Sequence, residues 1–68
     1  MGTVQRPNSL FKAWNRAIGG TLASLIRDMR NSGMTQLEVY DALRHEHGID
    51  VSYTTVQRWI KAVRDDVL

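Results

Sequence analysis

Residues 48–63 read G-I-D-V-S-Y-T-T-V-Q-R-W-I-K-A-V, and this stretch decides the fold that we expect. Ser52 is a good helix N-cap, because its hydroxyl can accept a hydrogen bond from first-turn N–H groups that have no partner within the helix. Apolar residues then recur at spacings of three, one and three, at Val56, Trp59, Ile60 and Val63. The spacing predicts a helix over residues 52–64 with one buried stripe.

The outer side of this helix is polar and basic. It carries three positive charges, no negative charge and several hydrogen-bonding groups, on Tyr53, Thr54, Gln57, Arg58, Lys61 and Arg64. A helix with one buried stripe and such an outer face fits the major groove of DNA. There, Gln57 and Arg58 suit bidentate contacts to adenine and guanine edges, and Tyr53 suits a thymine methyl group or a phosphate. The alternative is an ordinary solvated helix face.

Length and composition limit the classes of protein to which this chain can belong. Sixty-eight residues make one small domain with a small core. The absence of cysteine excludes disulfides and thiolate metal sites. No apolar run is long enough to cross a bilayer, and the start lacks the apolar segment of a signal peptide. We therefore expect a cytoplasmic protein without a membrane partner.

The charges are unevenly distributed, although the net charge is only +2. Residues 1–33 contain five basic residues and one acidic residue, whereas residues 34–68 contain four basic and six acidic residues. Within the acidic half, all basic residues except Arg44 lie on the last predicted helix. This distribution suits a protein that presents selected basic surfaces to phosphates.

In the first third of the chain, the sequence predicts a flexible arm followed by one or two helices. Residues 1–8 have no periodicity, and we expect them to form the arm. Asn8 or Ser9 then caps a segment with apolar residues at helical spacing. Gly19-Gly20 favours a break in the helix. A second helix, capped by Thr21, is then expected to end before Gly33. A single kinked helix over residues 9–32 is the alternative, because one apolar phase runs across the glycines: Phe11, Trp14, Ile18, Leu22, Leu25 and Met29.

The segment from Met34 to His47 has the clearest helix start in the sequence. Residues 35–38, T-Q-L-E, form a capping box in which the Thr35 hydroxyl and the Glu38 carboxylate satisfy backbone donors reciprocally. Gly48 ends this helix, and Ile49 and Val51 are the expected apolar contacts of the connection to Ser52. The apolar side of the helix is predicted to comprise Leu37, Val39, Tyr40, Ala42 and Leu43.

No residue pattern in the sequence indicates catalysis, a cofactor or a small-molecule ligand. The two histidines, His45 and His47, are two residues apart, and on a helix they point in different directions. They therefore do not form the i and i+4 pair of a zinc-protease motif, and we expect no metal site. No Ser, His and Asp set and no glycine-rich phosphate loop is present, so we expect no enzyme.

Residues 35–61, T-Q-L-E-V-Y-D-A-L-R-H-E-H-G-I-D-V-S-Y-T-T-V-Q-R-W-I-K, resemble the helix-turn-helix of the arginine repressor N-terminal domain. That family has a capped Thr-Gln helix, a glycine, a short apolar turn and a pattern similar to T-Q-A-T-V-S-R-D-I. The later part also resembles helix-turn-helix segments of transposases and of phage or plasmid regulators. The matching residues are Thr35, Gln36, Leu43, Gly48, Val51, Ser52, Thr55, Val56, Arg58, Ile60 and Lys61.

The resemblance implies which residues contact DNA. It places Tyr53, Thr54, Gln57 and Arg58 near bases and Thr35, Gln36 and Lys61 near phosphates; Ser52 and Arg64 complete our candidate phosphate contacts. Trp59 departs from the family pattern, which has an acidic residue at this position. The chain also ends soon after the last helix, so we expect neither a β-hairpin wing nor arginine sensing.

We therefore predict an all-α, compact domain of three to four helices at residues 9–68, with a helix-turn-helix at residues 35–64. The predicted function is sequence-specific binding of double-stranded DNA by a small phage, plasmid or bacterial transcriptional regulator, such as a repressor. A homodimer on a palindromic site would join two weak contacts, through Leu10, Phe11, Trp14 and Ile18 or through Val67-Leu68. Phe11 and Trp14 could belong to the core instead of to a dimer surface, and the sequence favours neither alternative. The alternatives are a helical protein-interaction module and a DNA-binding component of a recombination or packaging complex.

Overall fold

The computed structural model describes residues 7–66, with side chains from Ser9 onward, and these residues form four helices. They are α1 (Pro7–Ala17), α2 (Leu22–Asn31), α3 (Gln36–His47) and α4 (Tyr53–Arg64). The prediction of an all-α domain with three to four helices is confirmed, and no strand occurs within residues 7–66. In this same range, no helix has the length and apolar character required to span a bilayer.

Helix α1 begins at Pro7, so the predicted start at Asn8 or Ser9 is wrong. Proline suits the first turn of a helix, because its φ angle is already helical and its missing N–H would have no intrahelical partner there. Residues 7 and 8 of the predicted arm therefore belong to α1. The rest of that arm and Val67-Leu68 lie outside the described residues.

The Gly19-Gly20 pair separates α1 from α2, so the chain forms two helices here rather than one kinked helix. Both glycines have positive φ angles, +87° and +86°, which residues with a side chain rarely adopt. Thr21 occupies the N-cap position of α2, as predicted, but its side chain makes no cap hydrogen bond. Instead, Asn15 Oδ1 of α1 accepts a hydrogen bond from Leu22 N at 2.9 Å, and this bond joins the two helices.

The predicted helix starts at Thr35 and Ser52 are both confirmed. Thr35 Oγ1 accepts from Glu38 N at 3.1 Å, and Glu38 Oε1 accepts from Thr35 N at 2.7 Å, which completes the capping box. Ser52 Oγ accepts from Thr55 N at 3.2 Å. Between the two caps, Gly48 ends α3 in the left-handed conformation with φ of +67°. The turn between α3 and α4 is therefore defined at both ends by local hydrogen bonds and backbone conformation.

Replacing Ser52 by alanine is expected to destabilise the domain by about 1 kcal/mol, because the first turn of α4 loses its side-chain acceptor. In a domain of this size, that loss lowers the melting temperature by roughly 4–8 °C. The change is measured by thermal unfolding, with circular dichroism as the signal. The Ser52→Asp variant retains an acceptor and serves as the matched control. An unchanged melting temperature for Ser52→Ala would contradict the capping role.

The core lies where the apolar faces of all four helices meet. All four residues of the predicted α4 stripe are buried, and the Phe11 ring meets the Trp59 ring edge-to-face with centroids 5.3 Å apart. The buried residues are Phe11, Leu22, Ile26, Met29, Val39, Ala42, Leu43, Ile49, Val56, Trp59, Ile60 and Val63. Ile49 therefore fills the turn, as predicted. Leu37 was expected on the apolar side of α3 but is 56% exposed, because it projects away from the face formed by Val39 and Leu43.

Burial also bears on the candidate dimer residues. Phe11 is only 6% exposed, so it belongs to the core and contributes no surface to a partner. Leu10, Trp14 and Ile18 are partly buried and pack against the same core. Of the four candidates on α1 and directly after it, only these three retain surface that a second copy could reach.

Candidate nucleic-acid interface

Three residues on the outer face of α4 are exposed to solvent. Thr54, Arg58 and Lys61 are exposed, and they lie opposite the buried stripe of the same helix. Neither Arg58 nor Lys61 forms an ion pair with any residue in the range 7–66. Both cations are therefore available to an external anion or a base edge.

Gln57 is turned toward α3 rather than straight outward. Its Nε2 donates a hydrogen bond to Gln36 Oε1 at 3.1 Å, and the bond is partly buried. Gln36 is the first residue of α3, so this contact fixes the start of α3 against the second turn of α4. The bond leaves the other two side-chain amide atoms, Oε1 of Gln57 and Nε2 of Gln36, available to other partners.

Tyr53, another predicted base contact, packs on α3 as well. Its ring meets that of Tyr40 edge-to-face with centroids 5.5 Å apart, and it remains 37% exposed. The Arg44 guanidinium lies 5.6 Å from the Tyr40 ring centre and donates to the Tyr40 hydroxyl at 2.7 Å. This hydrogen bond raises the pKa of Arg44 above its ordinary value.

Two of the predicted phosphate contacts, Thr35 and Ser52, serve as helix caps. Their hydroxyl oxygens accept the backbone N–H bonds described above, while both side chains remain exposed. The Thr35 hydroxyl proton is still available to a phosphate oxygen. The Glu38 carboxylate lies at the same end of α3, and it offsets part of the positive helix dipole there.

An open groove of about 610 Å³ runs between α2 and α4 and contains the remaining candidate residues. Apolar side chains from the core, Ile26, Ile60 and Val63, lie on its inner side. The polar lining comes from three helices and comprises Arg27, Arg30, Asn31, Gln36, Gln57, Lys61 and Arg64. Four of these side chains are cationic, and none is acidic. We call this feature the basic groove.

Two acidic residues lie beside the basic groove, although neither lines it. Arg64 Nε lies 3.2 Å from Asp65 Oδ1, and Arg27 Nη2 lies 3.9 Å from Asp66 Oδ1. All four side chains are substantially exposed, so solvent screens these pairs and each is weak. Arg30 has a different partner, because its Nη1 donates to the Met34 carbonyl oxygen at 2.6 Å and so supports the connection from α2 to α3.

The structure does not bring all the predicted DNA contacts together at one place. Gln36, Gln57, Lys61 and Arg64 come together in the basic groove, whereas Thr54 and Arg58 lie on the outer face of α4 and Tyr53 lies against Tyr40. Sequence reasoning missed Arg27 and Arg30. Their helical spacing placed them on the polar side of α2, but no local signal indicates that this side adjoins α4.

Neither a metal site nor a similarity to known proteins assigns a function to these residues. Within residues 7–66, no group of three or more histidine or acidic side chains is arranged to hold a metal ion. Comparisons of the chain with protein-family models, with curated proteins and with solved structures each find no match. The geometry of the outer face and of the basic groove is therefore the basis for a functional proposal.

Proposed function

We propose that this protein binds double-stranded DNA, with α4 as the recognition helix in the major groove and with α3 and its turn completing a helix-turn-helix. The observation that carries the proposal is the outer face of α4, on which Thr54, Arg58 and Lys61 are all exposed. A major groove about 12 Å wide admits one helix, and only a helix with a free outer side can enter it.

The side chains on and beside this face have the chemistry that DNA recognition requires. Arg58 has the paired donors that match the O6 and N7 acceptors of guanine. Thr54 and the free carbonyl oxygen of Gln57 offer further hydrogen-bonding groups to bases, and Tyr53 offers a partly exposed ring edge. Phosphate contacts are assigned to Lys61 and Arg64, and to the polar groups of Thr35, Gln36 and Ser52 at the helix starts.

A homodimer is the proposed binding state. One recognition helix with few cations binds weakly, and a symmetric pair on a palindromic site raises the affinity because the second contact becomes intramolecular. The candidate contacts are Leu10 and Trp14 of α1 and Ile18, which directly follows it, and none of them lines the basic groove. We propose a small transcriptional regulator of phage, plasmid or bacterial type that acts on DNA in the cytoplasm.

A selection from random duplex DNA at two salt concentrations tests the proposal, with the mass of the protein in solution measured alongside. We expect enrichment of a defined sequence, tighter binding at low salt and an inverted repeat when the protein is dimeric. Enrichment of a single half-site by a monomer would remove the dimer but retain DNA binding. Absence of salt-dependent binding to any duplex would overturn the proposed function and favour a helical protein-interaction module.

A further inference from the structure

We propose that the basic groove holds a phosphodiester segment of the bound DNA, so that Arg27 and Arg30 of α2 are phosphate contacts. DNA would then lie across two helices, α2 and α4, rather than along α4 alone. This inference rests on the proposed function and extends it, because nothing in the local sequence of α2 marks that helix as part of a DNA interface.

The charge of the lining carries the inference. Two cations from α2, Arg27 and Arg30, face the same groove as two cations from α4, Lys61 and Arg64. No acidic side chain is among the lining residues, although Asp28 lies on the same helix as the two arginines. Arg27 and Arg64 each have one exposed carboxylate partner, Asp66 and Asp65, and these solvent-screened pairs are weak, so the groove lining retains a net attraction for an anion.

The chemistry of the lining favours phosphate. Arginine presents paired N–H donors in a plane that matches two oxygens of one phosphate group, and the groove contains three arginines. The Gln36–Gln57 pair at the α3 side adds a free amide N–H group, which donates to the same kind of acceptor. A phosphodiester chain supplies such acceptors repeatedly, with one charge for each nucleotide.

The position of the basic groove favours the DNA backbone over a separate anionic ligand. Lys61 belongs both to the outer face of α4 and to the groove lining, so the two surfaces are continuous. When a helix occupies the major groove, the sugar–phosphate backbones that border the groove run along its two flanks. A duplex placed on the outer face of α4 therefore brings one backbone to the side on which α2 lies.

Asp66 allows the assignment of Arg27 as a phosphate contact to be tested. Its carboxylate is the partner of Arg27 at 3.9 Å, and a phosphate that binds Arg27 must compete with it. Asp66 has a φ angle of +58°, a left-handed conformation that asparagine also tolerates well. The Asp66→Asn variant therefore removes the competing charge while it preserves the local backbone.

The experiment measures binding of the selected duplex at several salt concentrations by fluorescence anisotropy. Arg27→Gln is expected to weaken binding about three- to tenfold at low salt and to reduce the salt slope by about one. Asp66→Asn is expected to tighten binding about two- to fivefold at low salt. Arg16→Gln is the matched control, because Arg16 is an exposed arginine on α1, which contributes nothing to the groove lining. Arg30 is left intact, since it also supports the connection to α3.

The outcomes separate this inference from the proposed function. Wild-type affinity and salt slope in both Arg27→Gln and Asp66→Asn, with normal circular dichroism spectra, would overturn the inference while DNA binding through α4 stands. An equal loss in Arg16→Gln would also overturn it, because the effect would then reflect net charge alone. If the wild-type protein shows no salt-dependent binding to duplex DNA, both proposals fail together.

Discussion

The Trp59→Ala variant is expected to lose most of its helical structure at room temperature. Trp59 is fully buried on α4 and packs edge-to-face against Phe11 of α1. Truncating a buried tryptophan costs about 3–5 kcal/mol, because apolar contacts are lost and a cavity remains. In a domain below 80 residues, a single core rarely supplies more than roughly 3–5 kcal/mol of stability. The substitution therefore removes nearly all of it.

Far-UV circular dichroism and urea unfolding measure this loss, and two variants serve as controls. Trp14→Ala removes the other tryptophan, which is only partly buried, so its cost should be clearly smaller. Trp59→Phe keeps an aromatic ring beside Phe11 and removes an indole N–H that has no hydrogen-bond partner within residues 7–66. It should therefore remain folded. A Trp59→Ala protein with the wild-type urea midpoint would contradict the central position of Trp59 in the core.

The Arg58→Ala variant is expected to bind its selected duplex about 5- to 150-fold more weakly, a loss of about 1–3 kcal/mol. Arg58 is exposed on the outer face of α4 and has no ion-pair partner in the described part of the chain, so its donors are free to contact a guanine edge. Truncating it should also relax the sequence preference at one position. Repeating the selection with the variant reveals that change directly.

Two comparisons make the Arg58 result specific. Lys61→Ala should weaken binding to all sequences alike and lower the salt slope by about one, because a phosphate contact carries no base information. Arg16→Ala removes the same charge as Arg58→Ala from α1 and should leave the sequence preference unchanged. Wild-type affinity in Arg58→Ala would exclude the outer face of α4 from the interface. That result is the one expected of a protein-interaction module.

Most of the helix ends could be predicted from the sequence, because their causes are local. The spacing of Val56, Trp59, Ile60 and Val63 defined the buried stripe of α4, and the acceptors at Thr35 and Ser52 defined two helix starts. Thr21 stands at the predicted N-cap of α2, but its side chain does not make the expected cap hydrogen bond. Instead, the side-chain oxygen of Asn15 accepts a hydrogen bond from the backbone N–H of Leu22, seven residues further along the chain. Prediction failed at the point where the partner was not local.

The candidate interface could be predicted only in part, for the same reason. Periodicity placed Arg58 and Lys61 on the outer side of α4, and both side chains are exposed. Periodicity also placed Arg27 and Arg30 on the polar side of α2. The meeting of that side with α4 depends on how two helices far apart in sequence pack. Likewise, the pairing of Gln57 with Gln36 joins residues that are 21 positions apart.

By itself, the sequence determined α3 and α4, their N-caps at Thr35 and Ser52 and the buried stripe of α4, since hydrogen bonds within a turn and a 3.6-residue period act over a few residues. The tertiary structure alone decided that Phe11 belongs to the core, that Leu37 is exposed and that four cations from α2 and α4 share one groove. Each of these outcomes depends on the relative placement of whole helices. That placement follows from the shape of the apolar faces that pack together, which no short stretch of sequence encodes.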